Sequence, residues 1–115
     1  MKYKTCVSIA EKTPTKIKQV LKIALKKSDY VEVRLDFLKI EQIPEALEII
    51  KNDLNKIVCT LRPKTEGGKF SGNEKERIAI IKLIAEYSPF LLDIEYNTLK
   101  KNTSLVKYLK STKTK

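Results

Sequence analysis

Apolar positions along this chain switch between two periods. Thr5–Ala10 is a short apolar run that predicts a first strand. Thr13 followed by Pro14 is an N-cap and first-turn pair. It opens a helix to about Lys27, with Ile17, Val20, Leu21, Ala24 and Leu25 on one face. Tyr30–Phe37 reads as a second strand. A second helix follows from about Pro44 to Leu54, carrying Leu47, Ile50 and Leu54. Ile57–Arg62 is a third strand. Asn73-Glu74-Lys75-Glu76 has the form of a capping box and opens a helix to about Tyr87. Its apolar face is Ile78, Ile81, Ile84 and Ala85, widened by Ile80. Phe90–Tyr96 is a fourth strand. From Thr98 onward Leu105, Val106 and Leu109 start a fourth helix, and Ser111–Lys115 closes the chain with no strand after it.

Strands alternating with helices of this length predict βαβ units and a parallel sheet. Parallel strands usually read as continuous apolar runs because both faces are covered. These do not. Alternation separates Val31, Val33, Leu35 and Phe37 from Glu32, Arg34 and Asp36 on the second strand. On the third it separates Ile57, Cys59 and Leu61 from Val58, Thr60 and Arg62. On the fourth, Leu92, Ile94 and Tyr96 oppose Asp93 and Glu95; on the first, Val7 and Ile9 oppose Cys6 and Ser8. One face is expected to pack on helices. The other collects Ser8, Glu32, Arg34, Asp36, Thr60, Arg62, Asp93 and Glu95. Buried charges are costly unless paired, so this face reads either as the polar interior of a barrel or as an exposed sheet face with surface ion pairs.

A second concentration of unusual residues lies between the third strand and the third helix. All three glycines fall there, at Gly67, Gly68 and Gly72. A glycine-rich loop after a charged strand end is where α/β proteins place their chemistry. The loop lacks the Gly-Lys-Ser/Thr of a P-loop.

Composition narrows the classes. The 115 residues, 42% hydrophobic and 33% charged, suit one soluble domain over 1–115. The apolar runs fall short of a membrane span, and the N-terminus does not read as a signal peptide. Cys6 and Cys59 each sit in an apolar run and are expected to be buried free thiols of a cytoplasmic protein. The net charge of +10 is nearly all lysine, with arginine only at positions 34, 62 and 77. The lysines are scattered over polar helix faces without interleaved aromatics, which favours a solvated surface over a nucleic-acid interface.

Three segments together resemble a known family. Glu32-Val33-Arg34-Leu35-Asp36, then Thr60-Leu61-Arg62-Pro63-Lys64-Thr65-Glu66-Gly67-Gly68, then Asp93-Ile94-Glu95 are similar to the first half of a type I 3-dehydroquinate dehydratase. The resemblance implies a (β/α)8 TIM-type barrel, of which this chain covers about the first four βα units. It implies a shikimate-pathway hydro-lyase that converts 3-dehydroquinate to 3-dehydroshikimate through a Schiff base, with no cofactor and no metal, commonly as a homodimer. It places substrate-binding groups at Ser8, Glu32, Arg34 and Arg62, and the carboxylate partner of a catalytic histidine at Glu66.

The resemblance also calls for an imine-forming lysine and a proton-transfer histidine. The chain has no histidine, and Lys64 and Lys69 are expected to be solvated loop residues. The expectation is therefore the N-terminal half of such an enzyme, inactive alone, acting on a small molecule without nucleic acid or membrane, and forming a homo-oligomer or pairing with a complementary half-barrel. The alternative is a four-unit α/β module that binds a small anion or nucleic acid without catalysis.

Overall fold

Four parallel strands lie side by side in chain order, β1 (Cys6–Ile9), β2 (Tyr30–Arg34), β3 (Ile57–Thr60) and β4 (Leu91–Asp93), in a computed structural model that describes residues 5–110. Sequential parallel strands joined by right-handed crossovers place every connecting helix on the same side. The core agrees. Ile17 and Leu21 of α1 (Pro14–Lys27), Leu47 and Ile50 of α2 (Ile43–Ile50), and Ile81 and Ile84 of α3 (Glu74–Glu86) join Val31, Val33, Ile57, Cys59 and Leu92 in one buried cluster. This is the one-sided layering of a barrel wall, and among the described residues it leaves the second sheet face without helices.

Both helix starts that the sequence marks are built as expected. The Thr13 side chain accepts a hydrogen bond from the Lys16 amide at 3.2 Å, and Pro14 occupies the first turn. At α3 the Glu76 amide donates to Asn73 Oδ1 at 2.8 Å while the Asn73 amide donates to Glu76 Oε1 at 3.0 Å. Each satisfies amides that a helix terminus leaves free.

Element ends differ from the sequence expectation where side chains compete with the ladder. The second strand stops at Arg34, and Leu35–Phe37 form a 3-10 turn. The cause is Asp36, which is buried and bonded by Arg34 and by the Lys69 amide, so the chain turns to meet them. The third strand ends at Thr60, and β4 covers only three of the seven expected residues. The second helix ends at Ile50 and relaxes into a 3-10 stretch over Lys51–Lys56, where Asn52, Asp53 and Asn55 offer local hydrogen bonds that rival a helix. The expected fourth helix is two, α4 (Tyr96–Lys101) and α5 (Thr103–Lys110). The segment Ser111–Lys115, after which no strand is expected, lies outside the described residues.

The two thiols also part company. Cys59 is buried, as expected, but Cys6 is exposed. Cys6 lies on the helix-free face of β1, two residues from Ser8, where nothing packs over it among the described residues. Burial pushes the Cys59 thiol up to about 12 from its ordinary 9.0. A thiol-specific colorimetric reagent at pH 8 is expected to titrate Cys6 rapidly and Cys59 only in denaturant. Simultaneous reaction in the native state would contradict the packing. The shift has a stability consequence too. Between about 9 and 12 the unfolded thiol has lost its proton while the folded one keeps it, so stability contributed by Cys59 falls as pH rises through that window.

Candidate active-site face

The candidate site is assembled by register. Ser8 lies beside Glu32 across β1 and β2, Arg34 beside Thr60 across β2 and β3, and Thr60 beside Asp93 across β3 and β4. Neighbours in register point to the same side, so all five side chains share the helix-free face. Arg62, two residues beyond Thr60, continues that face and reaches Asp93.

Glu32 is the centre of this arrangement. Its carboxylate accepts one hydroxyl bond from Ser8 Oγ and one from Thr60 Oγ1, each at 2.6 Å. Two donors on the two flanking strands fix the plane of the carboxylate and leave lone pairs for a ligand. Thr60 is fully buried beneath these groups, although it lies on the polar face. Its hydroxyl is satisfied by Glu32, which explains how it tolerates that position.

Arg34 makes a two-pronged pair with Asp36, Nε to Oδ1 at 3.1 Å and Nη2 to Oδ2 at 2.8 Å. Its guanidinium lies 5.3 Å above the Phe37 ring. The hydrogen bond to Asp36 holds the guanidinium above its already high ordinary range. The sequence places Asp36 on the open face of the second strand; instead it sits at the buried base of the following turn. Its Oδ2 also accepts the Lys69 amide at 3.0 Å, so one carboxylate orients Arg34 and anchors the glycine loop.

Arg62 spans Asp93 and Glu95, reaching Glu95 Oε2 at 3.1 Å. Glu95 meets a second guanidinium on its other oxygen, Arg77 Nη1 at 2.9 Å. Arg77 was not singled out by sequence reasoning. It is 1% exposed and also donates to the Leu61 carbonyl at 3.0 Å, to Glu74 and to Thr98. A signal was present: residue 77 lies one helical turn before Ile81, on the buried stripe of α3, where a charge demands partners.

Glu66 stands apart. It closes a 3-10 turn at Lys64–Glu66, its side chain is exposed, and no described residue pairs with it. The structure brings Ser8, Glu32, Arg34 and Arg62 onto one face and leaves Glu66 on the loop beyond it. Lys64 and Lys69 are exposed, as expected. Gly67 takes a positive φ of 82° at the end of the Lys64–Glu66 turn. Gly68 folds the loop back onto the segment just after β3, where its amide donates to the Pro63 carbonyl at 2.8 Å.

Parallel βα units layered on one side, with a polar face of paired carboxylates and guanidiniums at the strand ends, define part of a barrel-type α/β enzyme scaffold. Comparison with known proteins agrees on which. The chain belongs to the type I 3-dehydroquinase family, whose model matches residues 5–115. It is 33% identical over 94 residues to the 3-dehydroquinate dehydratase of Desulfotalea psychrophila, covering 80% of this chain and 39% of that protein. It is 32% identical over 107 residues to that of Methanothermobacter thermautotrophicus, covering 92% and 48%. The fold matches the 3-dehydroquinate dehydratase of Geobacillus kaustophilus with a TM-score of 0.82 at 19% identity, over 98% of this chain and 48% of that one. It matches the type I enzyme of Clostridium difficile with a TM-score of 0.83 at 22% identity, over 97% and 48%. The chain thus spans about half the length of the relatives it matches.

Proposed function

We propose that this chain supplies the substrate-holding wall of a 3-dehydroquinate dehydratase, an enzyme that removes water from 3-dehydroquinate to give 3-dehydroshikimate. One observation carries the reading: Glu32, held between two hydroxyl donors, shares a face with the Arg34 and Arg62 guanidiniums. A polyhydroxylated carboxylate substrate needs this mixture. Ser8 and Glu32 can exchange hydrogen bonds with ring hydroxyls, and the unused N–H groups of Arg34 and Arg62 can take acceptor oxygens. The pre-formed ion pairs hold those donors in place before substrate arrives.

In this reading the chemistry runs through a Schiff base in the cytoplasm. Its lysine and histidine come from polypeptide other than these 115 residues, and Glu66 on its exposed loop closes against that histidine to set its tautomer. β1 and β4 each lack a second neighbour among the described residues, and a second copy or a complementary half completes the wall.

The test separates binding from turnover. Titration of the 115-residue chain with 3-dehydroquinate is expected to move the amide resonances of Ser8, Glu32, Thr60 and Arg62, and Arg34→Ala with Arg62→Ala to abolish the movement. Borohydride treatment with substrate is expected to trap no adduct, and no water is eliminated at an enzymatic rate. Unmoved resonances at saturating substrate, or a specific lysine adduct with turnover, would overturn the reading.

A further inference from the structure

Beside the Arg34–Asp36 clamp, a cleft of about 350 Å³ opens between three loops, and three lysines line it. Lys12 comes from the β1–α1 connection, Lys39 from the β2–α2 connection and Lys69 from the glycine loop after β3. Ser71 completes the rim, with Asp36 and Phe37 at the base. We propose that this cleft is an anion site for a phosphate group, carried by a small phosphorylated molecule.

The charge balance points that way. None of the three ammonium groups is paired with a carboxylate among the described residues. Asp36, the lining carboxylate, is already engaged by two bonds from Arg34 and by the Lys69 amide. It therefore neutralises Arg34 and leaves the three lysines uncompensated. Like charges brought to one cleft repel unless an anion joins them.

Main-chain bonds hold two of the three loops. The Lys69 amide is bonded to Asp36 at 3.0 Å, and the Lys39 amide donates to Gln42 Oε1 at 3.0 Å. Lys12 immediately precedes the Thr13 cap of α1, a 14-residue helix with no acidic residue in its first turn, so its positive end is not offset there. Lysine acts on phosphate as a point charge, whereas the planar fork that suits a carboxylate is absent from this cleft. The volume suits a small molecule.

The cleft shares Asp36 with the Arg34 clamp at the edge of the proposed substrate face, so its test uses phosphate probes and no 3-dehydroquinate. The 115-residue chain is titrated with inorganic phosphate and with glycerol phosphate, and in parallel with acetate and chloride at matched ionic strength, while amide resonances are followed. Saturable shifts centred on Lys39, Lys69 and Ser71 are expected with both phosphate probes. Tighter binding of glycerol phosphate marks a monoester site, and equal binding marks a site for the phosphate group alone; either supports the inference. Lys12→Gln, Lys39→Gln and Lys69→Gln combined are expected to weaken binding at least about tenfold. Lys18→Gln with Lys22→Gln, two exposed positions on α1 away from the cleft, leaves it unchanged. Circular dichroism checks that both variants fold; if the triple variant unfolds, Lys39→Gln alone serves. Non-saturating shifts, equal response to acetate, or equal loss in the Lys18 and Lys22 variant would overturn the proposal.

Discussion

Arg77→Leu is expected to remove about 3–5 kcal/mol of stability, the scale for breaking a buried ion pair by deleting one partner. Four things are lost together. The Leu61 carbonyl loses its donor, Glu95 keeps Arg62 and a long bond from the Thr98 hydroxyl, Thr98 loses a charged partner, and Glu74 loses its ion pair. The Glu95 side chain is 7% exposed, so water cannot replace what is removed. Against a total of about 5–15 kcal/mol for a small domain, this is a large share. Urea unfolding at pH 7 measures it, and a loss below about 1 kcal/mol, the range of exposed pairs, would refute the account. Removing both charges in Arg77→Leu with Glu95→Leu should cost less than the sum of the single variants, because no charge is then stranded.

The second large effect is expected at Gly68. A Cβ built there would stand 2.0 Å from the Arg62 carbonyl oxygen and 2.5 Å from the Arg62 Cβ. These are backbone and near-backbone atoms that cannot step aside by changing rotamer. Gly68→Ala must therefore move the loop off the third strand, at a cost of about 3 kcal/mol or more. Gly67→Ala is the control. Its φ of 82° disfavours a side chain, yet nothing lies within 4 Å of the added carbon, so the cost is about 1–2 kcal/mol. Thermal melts of the two variants rank them, and Gly67→Ala proving the more damaging would show that loop conformation, not close approach, governs this turn. The Gly68 variant should also blur the resonances of Arg62 and Lys69, which the displaced loop carries.

The parts of the fold that were legible in the sequence are those set by local patterns. Thr13-Pro14 and the Asn73–Glu76 box announce helix starts because capping involves residues three apart. The alternation of Glu32 and Arg34 with Val31 and Val33 separated the two sheet faces because side-chain direction has a period of two. Strand ends were not legible. Tyr30–Phe37 looks uniform, and only the long-range bond from the Lys69 amide to Asp36 explains the turn after Arg34. Cys6 was misjudged because an apolar neighbourhood in sequence says nothing about whether a given face is covered. One charged residue on an apolar helix face looks like a boundary of the stripe, and apart from Glu74 the partners of Arg77 lie 16 to 21 residues away, at Leu61, Glu95 and Thr98.

The use of the two basic residue types has a consequence for how this chain tolerates change. Nearly all the basic residues of this sequence are lysines, with arginine only at positions 34, 62 and 77. The three arginines that remain each grip a carboxylate with more than one nitrogen or grip two carboxylates at once: Arg34 on Asp36, Arg62 on Asp93 and Glu95, Arg77 on Glu74 and Glu95. A lysine offers one nitrogen and cannot reproduce any of these grips. Exchanging any of these three arginines for lysine would keep the charge and lose the planar fork, so the positions are set by shape as well as by charge, unlike the exposed lysines elsewhere on the chain.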